Sequence, residues 1–319
     1  MQYLMDGKNI IITGQTATGK TGLALSIAKR LNSAILSADS RQIYNQMDIG
    51  TGKIDSQDDL QFLNDHWSLK NITIFGINLI NPDQHFSSGD FSEYGQKIIR
   101  ENPNTVTIGG TGFYIKSLFD PAETIDIPQN SEIRLNYSQL EQKLSPPEYV
   151  KSLQDDLNNL NSSKFQSLNN SDVNNPRRLV RAIEVEIYKN QNLKSTSQSE
   201  KIDNQIWIGL HSPKEYLVGK IKDRVNKMFE IGLENEIQIL STKYSWDTPG
   251  MQTIGYIEFK EYLEKKISKE QLIENIITSH LHYARKQMIY LKKFEQIHWI
   301  DISECTDPLS LALQYCKIE

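Results

Sequence analysis

The stretch that decides the fold is Ile12-Thr13-Gly14-Gln15-Thr16-Ala17-Thr18-Gly19-Lys20-Thr21-Gly22. Its spacing, Gly14-x4-Gly19-Lys20-Thr21, is that of a loop whose backbone N–H groups and lysine grip a chain of phosphates. Such a loop needs a strand before it and a helix after it, and the sequence offers both. Asn9-Ile10-Ile11-Ile12-Thr13 has the character of a short buried strand, and Thr21 to Leu31 carries Leu23, Leu25, Ile27, Ala28 and Leu31 at helical spacing. In that setting Gly14 and Gly19 let the backbone approach phosphate oxygens, Lys20 supplies a point charge and Thr21 offers a hydroxyl to Mg²⁺. The helix N-terminus adds its partial positive charge. The motif alone leaves open whether the gripped phosphate is transferred, hydrolysed or expelled.

Outward from the loop, a second apolar run, Ser33 to Ala38, stops at Asp39, and a third covers Ile72 to Leu79. A fourth, Thr105 to Ile108, ends in Gly109-Gly110-Thr111-Gly112. Strands alternating with helices predict an α/β protein with a doubly wound parallel sheet and right-handed crossovers. Ligands of such sheets sit beyond the carboxyl ends of the strands, where Gly14 to Thr21, Asp39 to Gln42 and Gly109 to Gly112 all fall. Between Phe119 and Asn175 Asn, Gln, Ser, Asp and Leu dominate, with Pro146-Pro147 as punctuation, which predicts a small all-helical insertion. The expected organisation is a first part of the core at 1–118, the insertion at 119–175 and a mostly helical second part at 176–319.

Three strong helical patterns follow Pro176: Arg178 to Tyr188, Leu217 to Leu240 and Gln271 to Phe294. In the second, Leu217, Ile221, Val225, Met228, Phe229 and Leu240 share a face, and Arg224 falls on its flank roughly 60° from the centre. A half-buried arginine there calls for an anion. The third carries two stripes. Ile273, Ile277, Leu281, Ala284, Met288 and Leu291 read as core. Ile276, His280, Tyr283, Gln287, Tyr290 and Phe294 read either as core with satisfied polar tips or as a surface for bases and phosphates.

The chain is long enough, at 319 residues, for one large α/β domain and an additional lobe. Hydrophobic content of 38% and charged content of 24% are those of an ordinary soluble protein, and no apolar run reaches the roughly 18 to 20 residues that span a bilayer. Met1 to Lys8 lacks the apolar length of a secretory leader, so a cytoplasmic location is expected. Cys305 and Cys316 have no CxxC spacing and indicate neither a disulfide framework nor a zinc site. A net charge of −5 argues against non-specific coating of nucleic acid, yet the average hides basic stretches. Pro176 to Phe229 holds 11 Lys/Arg against 6 Asp/Glu, and Leu281 to Lys293 holds Arg285, Lys286, Lys292 and Lys293 with no acid. Each is either a solvated face or a polyanion contact.

A nucleotide triphosphatase normally places an Asp at the end of a hydrophobic strand to hold magnesium, whereas the strand Thr105 to Ile108 ends in glycines. Asn226-Lys227-Met228-Phe229 fails as a guanine reader at its last position. Both an energy-coupled NTPase and a GTPase switch are disfavoured. The available acid is Asp39, in Ser37-Ala38-Asp39-Ser40-Arg41-Gln42-Ile43-Tyr44. It could take a proton from a nucleophile, share in holding a metal, or merely cap a turn.

Seven ordered stretches, "GQTATGKT", "SADSRQIYNQMDIGTGK", "GGTGFYIKSL", "PRRLVRAIEV", "RVNKMFEIGLENEI", "QTIGYIEF" and "YARKQMIYLKKFEQIHWID", resemble the motifs of tRNA dimethylallyltransferases over Ile10 to Asp301. The pattern departs at Gln15 and Thr18, where the loop usually reads GPTASGKT, and at Gly52, where alanine is common. The resemblance implies a P-loop kinase-like core, a helical insertion on the anticodon stem, a dimethylallyl diphosphate donor, Mg²⁺, a tRNA acceptor, no membrane, and a monomer. It assigns Asp39, Thr16 and Arg224 to catalysis. Gly14, Gln15, Thr16, Ala17, Thr18, Gly19, Lys20 and Thr21 go to the diphosphate, with Thr21 also on the metal. Asp39, Ser40, Arg41, Gln42 and Thr111, and the run Arg177, Arg178, Leu179, Val180 and Arg181, go to tRNA; Lys53 is a weaker candidate for a phosphate contact. The implied reaction is dimethylallyl transfer to N6 of adenosine 37. Acceptors that are free adenine nucleotides are the nearest alternative.

Overall fold

The structure is a computed structural model describing residues 8–53, 60–63, 66–69, 71–191 and 201–318. The leader reading of Met1 to Lys8 falls, but for Lys8, outside the described residues. Among the described residues eight strands form one sheet: β1 (Asn9–Gly14), β2 (Ile35–Ser37), β3 (Leu60–Leu63), β4 (His66–Leu69), β5 (Ile72–Phe75), β6 (Val106–Gly109), β7 (Gln205–His211) and β8 (Ile297–Asp301), in the order β3-β4-β5-β2-β6-β1-β7-β8. From β5 to β8 every neighbouring pair is parallel, with Ile10 opposite Val106 and Ile206. The all-parallel expectation needs amending at one edge, where β3 pairs with β4 and β4 with β5 antiparallel. Links of two residues there are too short for a crossover, so the chain must turn back on itself.

The helices are α1 (Lys20–Leu31), α2 (Ser88–Glu101), α3 (Gly112–Phe119), α4 (Ser131–Glu141), α5 (Pro146–Leu160), α6 (Ser162–Gln166), α7 (Asn170–Val173), α8 (Pro176–Gln191), α9 (Lys214–Glu230), α10 (Leu233–Lys243), α11 (Phe259–Leu263), α12 (Lys269–Leu291) and α13 (Pro308–Cys316). They divide between two compact units, Met1–Pro121 with Lys201–Glu319, and Ala122–Glu200.

In the first unit the strand period of two sorts side chains between two cores. Ile10 and Ile12 pack with Leu23, Ala24 and Ile27 of α1 and Leu313 of α13, whereas Ile11 and Leu36 pack with Phe91, Leu118, Ile221 and Leu291 from α2, α3, α9 and α12. Helices on both faces make the sheet doubly wound, as expected. The helix predicted over Leu217 to Leu240 is two helices, because Gly232 takes φ 107° at the join. None of the described helices is long and apolar enough to cross a membrane.

Among the described residues the second unit is all helical. Tyr149, Leu153 and Leu157 of α5 and Leu179 and Ile183 of α8 form its core. The helical unit therefore continues past Asn175 and includes α8, because Leu179 and Ile183 find their apolar partners on α5. Glu184 of α8 is buried and accepts from Arg134 Nε (2.7 Å) and Nη2 (3.0 Å), from the Asn130 N–H (3.0 Å) and from Arg181 Nη1 (3.3 Å). Burial alone would raise its carboxyl, but these donors outweigh it and hold the pKa below the usual range. That contribution to stability is complete above about pH 4.5, the unfolded value, and is lost as pH falls through the lower folded value. Glu184→Ala leaves Arg134 and Arg181 unpaired and should cost about 3 kcal/mol locally, raising amide exchange in α8 about a hundredfold by mass spectrometry at neutral pH.

Candidate active site

A cavity of about 840 Å³ lies at the carboxyl ends of β1, β2 and β6. Its wall includes Thr16, Ala17, Thr18, Gly19, Lys20 and Thr21, Asp39, Arg41 and Gln42, Gly50 to Lys53, and Gly109 and Gly110. Lys220, Arg224 and Lys227 come from α9, and His280, Tyr283, Lys286 and Gln287 from α12. Residues separated by more than 200 positions thus meet where a doubly wound sheet binds ligands.

The loop is fixed from three directions. Gly14 has φ 136°, and a Cβ there would lie 2.0 Å from the Leu210 carbonyl oxygen. The Gln15 N–H donates to that carbonyl (3.2 Å) and Gln15 Oε1 accepts from the Ser212 N–H (3.0 Å). Gly14 and Gln15 tie the loop to β7, and the cavity wall itself begins at Thr16. The departure at Gln15 has a structural reason, since proline could supply neither bond. Thr18 is buried and spends its hydroxyl on the Gln15 carbonyl (2.8 Å), which leaves its backbone for any ligand. From the third side, the Thr16 N–H donates to Gln287 Oε1 (2.8 Å), and Gln287 Nε2 donates to the Gly110 carbonyl (3.1 Å).

Lys20 donates through Nζ to the Gln15 carbonyl. Burial pushes its pKa down to about 7; Asp39 opposes the shift and Arg224 adds to it. Arg224 sits half-buried on α9, as its flank position predicted, and its Nη1 donates to Thr16 Oγ1 (3.2 Å). Thr16, Lys20 and Arg224 therefore surround the same space. Asp39 accepts from the Arg41 N–H (2.9 Å) and still lines the cavity, so it both caps a turn and faces the site.

Gln42 accepts from Ser37 Oγ (2.7 Å) and donates to the Thr51 (3.4 Å) and Gly52 (3.3 Å) carbonyls. Ser40 and Thr111 lie beside the cavity and are joined by a bond from the Ser40 N–H to Thr111 Oγ1 (3.2 Å). The Lys53 ammonium is buried on the Tyr44 carbonyl, Asp48 Oδ1 (2.9 Å) and Asn78 Oδ1, so its hydrogen bonds are already committed within the protein. The second stripe of α12 is largely core, with its polar tips bonded. His280 and Gln287 are buried with satisfied tips, and Tyr283 forms part of the wall. Burial pushes His280 down to about 4, so the ring is neutral at pH 7, and burial with nearby Asp39 pushes the Tyr283 hydroxyl up to about 12.

No group of three or more His, Cys, Asp or Glu among the described residues is arranged to hold a metal. Magnesium on a phosphorylated substrate needs only one or two protein oxygens, and Thr21, on the cavity wall with Asp39, fits that requirement.

The run Arg177 to Arg181 divides by role within the helical unit. Arg177 is exposed and forms no ion pair among the described residues. Arg178 is exposed and bonded to Asp172 and Ser171. Leu179 is fully buried, and Val180, half-buried, packs against the same core. Arg181 donates to the Thr124 (3.0 Å) and Ile127 (2.7 Å) carbonyls and to Glu184, which makes it a structural staple. Arg134 is likewise committed to Glu184.

The fold and site define an α/β protein with a glycine-rich loop after β1 and a carboxylate at the end of β2. Residues 42–294 match the family model described as IPP transferase, and the chain belongs to that family. It is 34% identical over 305 residues to a tRNA dimethylallyltransferase of Acetivibrio thermocellus, covering 92% of each chain. The structure is similar to a full-length tRNA isopentenylpyrophosphate transferase of Bacillus halodurans, with TM-score 0.66, 27% identity, and coverage of 98% of this chain and 95% of the other. A eukaryotic dimethylallyltransferase acting on tRNA, 22% identical, shares the fold with TM-score 0.73 over 97% of this chain and 78% of its own.

The buried lysine predicts a stability effect. Its pKa is 10.5 unfolded and about 7 folded, so the folded state binds fewer protons between those values and stability rises with pH there; the deficit is greatest below pH 7. Unliganded Lys20→Met should melt about 2–4 °C above the parent protein at pH 6.5, an advantage that narrows as pH approaches 10 in scanning calorimetry.

Proposed function

We propose that this chain transfers a dimethylallyl group from dimethylallyl diphosphate to N6 of adenosine 37, beside the anticodon of tRNAs, releasing diphosphate. The observation that carries the reading is one cavity walled by both the loop with Lys20 and Arg224 and the Asp39 carboxylate. The loop N–H groups, Lys20, Arg224 and the Thr16 hydroxyl are suited to hold the diphosphate. As the bond from N6 to the allylic carbon forms, the bond from that carbon to the bridging oxygen breaks, and its electron pair leaves on the diphosphate. Asp39 takes the proton that N6 loses, which keeps the product amine neutral. The donors around the loop act most strongly on the charge developing on the leaving oxygens. Magnesium, held by the diphosphate with help from Thr21, would neutralise part of the same charge.

The acceptor base must leave its stack to reach Asp39, and Arg41 and Gln42 on the cavity wall would meet it. Arg177, exposed on α8, is the arginine of its run best placed to meet an RNA phosphate, with Arg178 secondary. A tRNA substrate implies a cytoplasmic enzyme, and a monomer is the state proposed for it.

The deciding experiment supplies labelled dimethylallyl diphosphate and Mg²⁺ with unmodified tRNA, with AMP or ADP, or with no acceptor. Label is expected in tRNA at adenosine 37; label in AMP but not in tRNA overturns the reading. Asp39→Ala should slow transfer by about 10²–10⁴ while diphosphate binding, measured by calorimetry, changes little. Arg177→Ala should raise the KM for tRNA and reduce the slope of log affinity against log salt by about one, with a smaller effect from Arg178→Ala.

A further inference from the structure

We infer that Glu236 and Gly52 are positioning residues that set where the Arg224 guanidinium stands; the inference rests on the reading of Arg224 as a diphosphate ligand. Glu236 projects from α10 onto the loop between Met47 and Lys53. Its Oε2 accepts from the N–H groups of Asp48 (2.9 Å) and Ile49 (2.8 Å), and its Oε1 from the Gly50 N–H (3.2 Å) and the Tyr256 hydroxyl (2.6 Å). Three successive backbone donors on one carboxylate leave the loop little freedom, and charge-assisted bonds of this kind are the stronger ones.

The loop delivers Gly52 to the cavity wall with φ 68°, the left-handed region that glycine enters without cost. Its bare Cα faces Arg224: a Cβ at this position would lie 2.0 Å from Nη2 and 3.0 Å from Cζ. On its other side the guanidinium reaches Thr16 Oγ1 through Nη1 at 3.2 Å. Arg224 is therefore lodged between the glycine-rich loop and the Gly52 loop, and Glu236 holds the second of these in place. A methyl group at position 52 has to push the guanidinium away from Thr16, because the backbone behind it is anchored by Glu236, by Gln42 on the Gly52 carbonyl, and by the Gly52 N–H on the Ile49 carbonyl (2.9 Å).

The test is a double-mutant cycle with Gly52→Ala and Arg224→Lys, read as kcat/KM for dimethylallyl diphosphate with tRNA saturating, and the KM for tRNA measured separately. Gly52→Ala alone should lower kcat/KM for the donor about 10- to 100-fold with the KM for tRNA within about twofold of the parent. In the Arg224→Lys background the same substitution should change the donor kcat/KM by less than about twofold, because the group it displaces is gone. Glu236→Gln keeps the side-chain shape but turns an NH₂ donor towards either a pair of loop N–H groups or the Gly50 N–H, and should repeat the pattern with a smaller loss. Effects of Gly52→Ala and Glu236→Gln that multiply with that of Arg224→Lys would overturn the inference, as would equal loss for donor and tRNA. Full activity of Arg224→Lys is a different failure, since it removes Arg224 from the diphosphate site before its positioning is in question.

Discussion

The site depends on how β1 ends. Gly14 leaves the strand with its Cα pressed against the Leu210 carbonyl, so the chain can only turn away from β7 into the loop. Everything after the turn inherits that constraint: Gln15 is pinned to β7 through Leu210 and Ser212, Thr18 closes the loop on the Gln15 carbonyl, and Gln287 of α12 takes the Thr16 N–H. A loop tied at so many points has its shape before a ligand arrives. Preorganisation has a cost, visible in Lys20, a half-buried ammonium that donates to the Gln15 carbonyl and whose pKa is pushed down to about 7. A group kept in that condition gains more from a polyanion than a hydrated surface lysine does.

The central strand, loop and helix were legible because the Ile run, the glycine spacing and the apolar face of α1 all agree locally. Asp39 was legible as the end of an apolar run, and Arg224 as an out-of-place charge on the flank of a helical face. The β3–β4 edge was not, because its alternating runs, Leu60-Gln61-Phe62 and Trp67-Ser68-Leu69, are too short to mark strands and Asn64-Asp65 divides them. Neither β7 nor β8 was picked out. Each is a short apolar run among long helices, and buried parallel strands carry no alternating pattern to separate them from helix. Gln287 sat on a stripe whose polar tips were noticed, but its partners, Thr16 and Gly110, lie more than 170 positions away and no periodicity points to them. Glu236 carried no signal at all, since a glutamate in the first turn of a helix is ordinary.

Within the helical unit the basic run looked uniform and is not. Four of its five side chains are engaged at home: Arg181 on the segment from Thr124 to Ile127, Leu179 and Val180 in the core, and Arg178 on Asp172. Helical spacing explains the division, since Leu179 and Ile183 must face α5, and Arg181 and Glu184 sit on a flank where a buried carboxylate can collect two arginines. Charge counted along the chain therefore overstates the charge offered to a polyanion, and Arg177 is what remains.

The close packing of β6 against β2 explains why the acid of this site lies where it does. A Cβ on Gly109 would fall 2.2 Å from the Ala38 carbonyl oxygen, so the end of the strand beside β1 has no room for a side chain. A magnesium-binding aspartate of the triphosphatase kind is thereby excluded from that position. A carboxylate stands one strand further along, at Asp39, on the wall of the same cavity as the loop. From there it is poorly suited to sit on a phosphate chain and well suited to a proton released opposite one. In the proposed reaction that separation puts the leaving group and the proton acceptor on two walls of one cavity, with the reacting carbon and nitrogen between them.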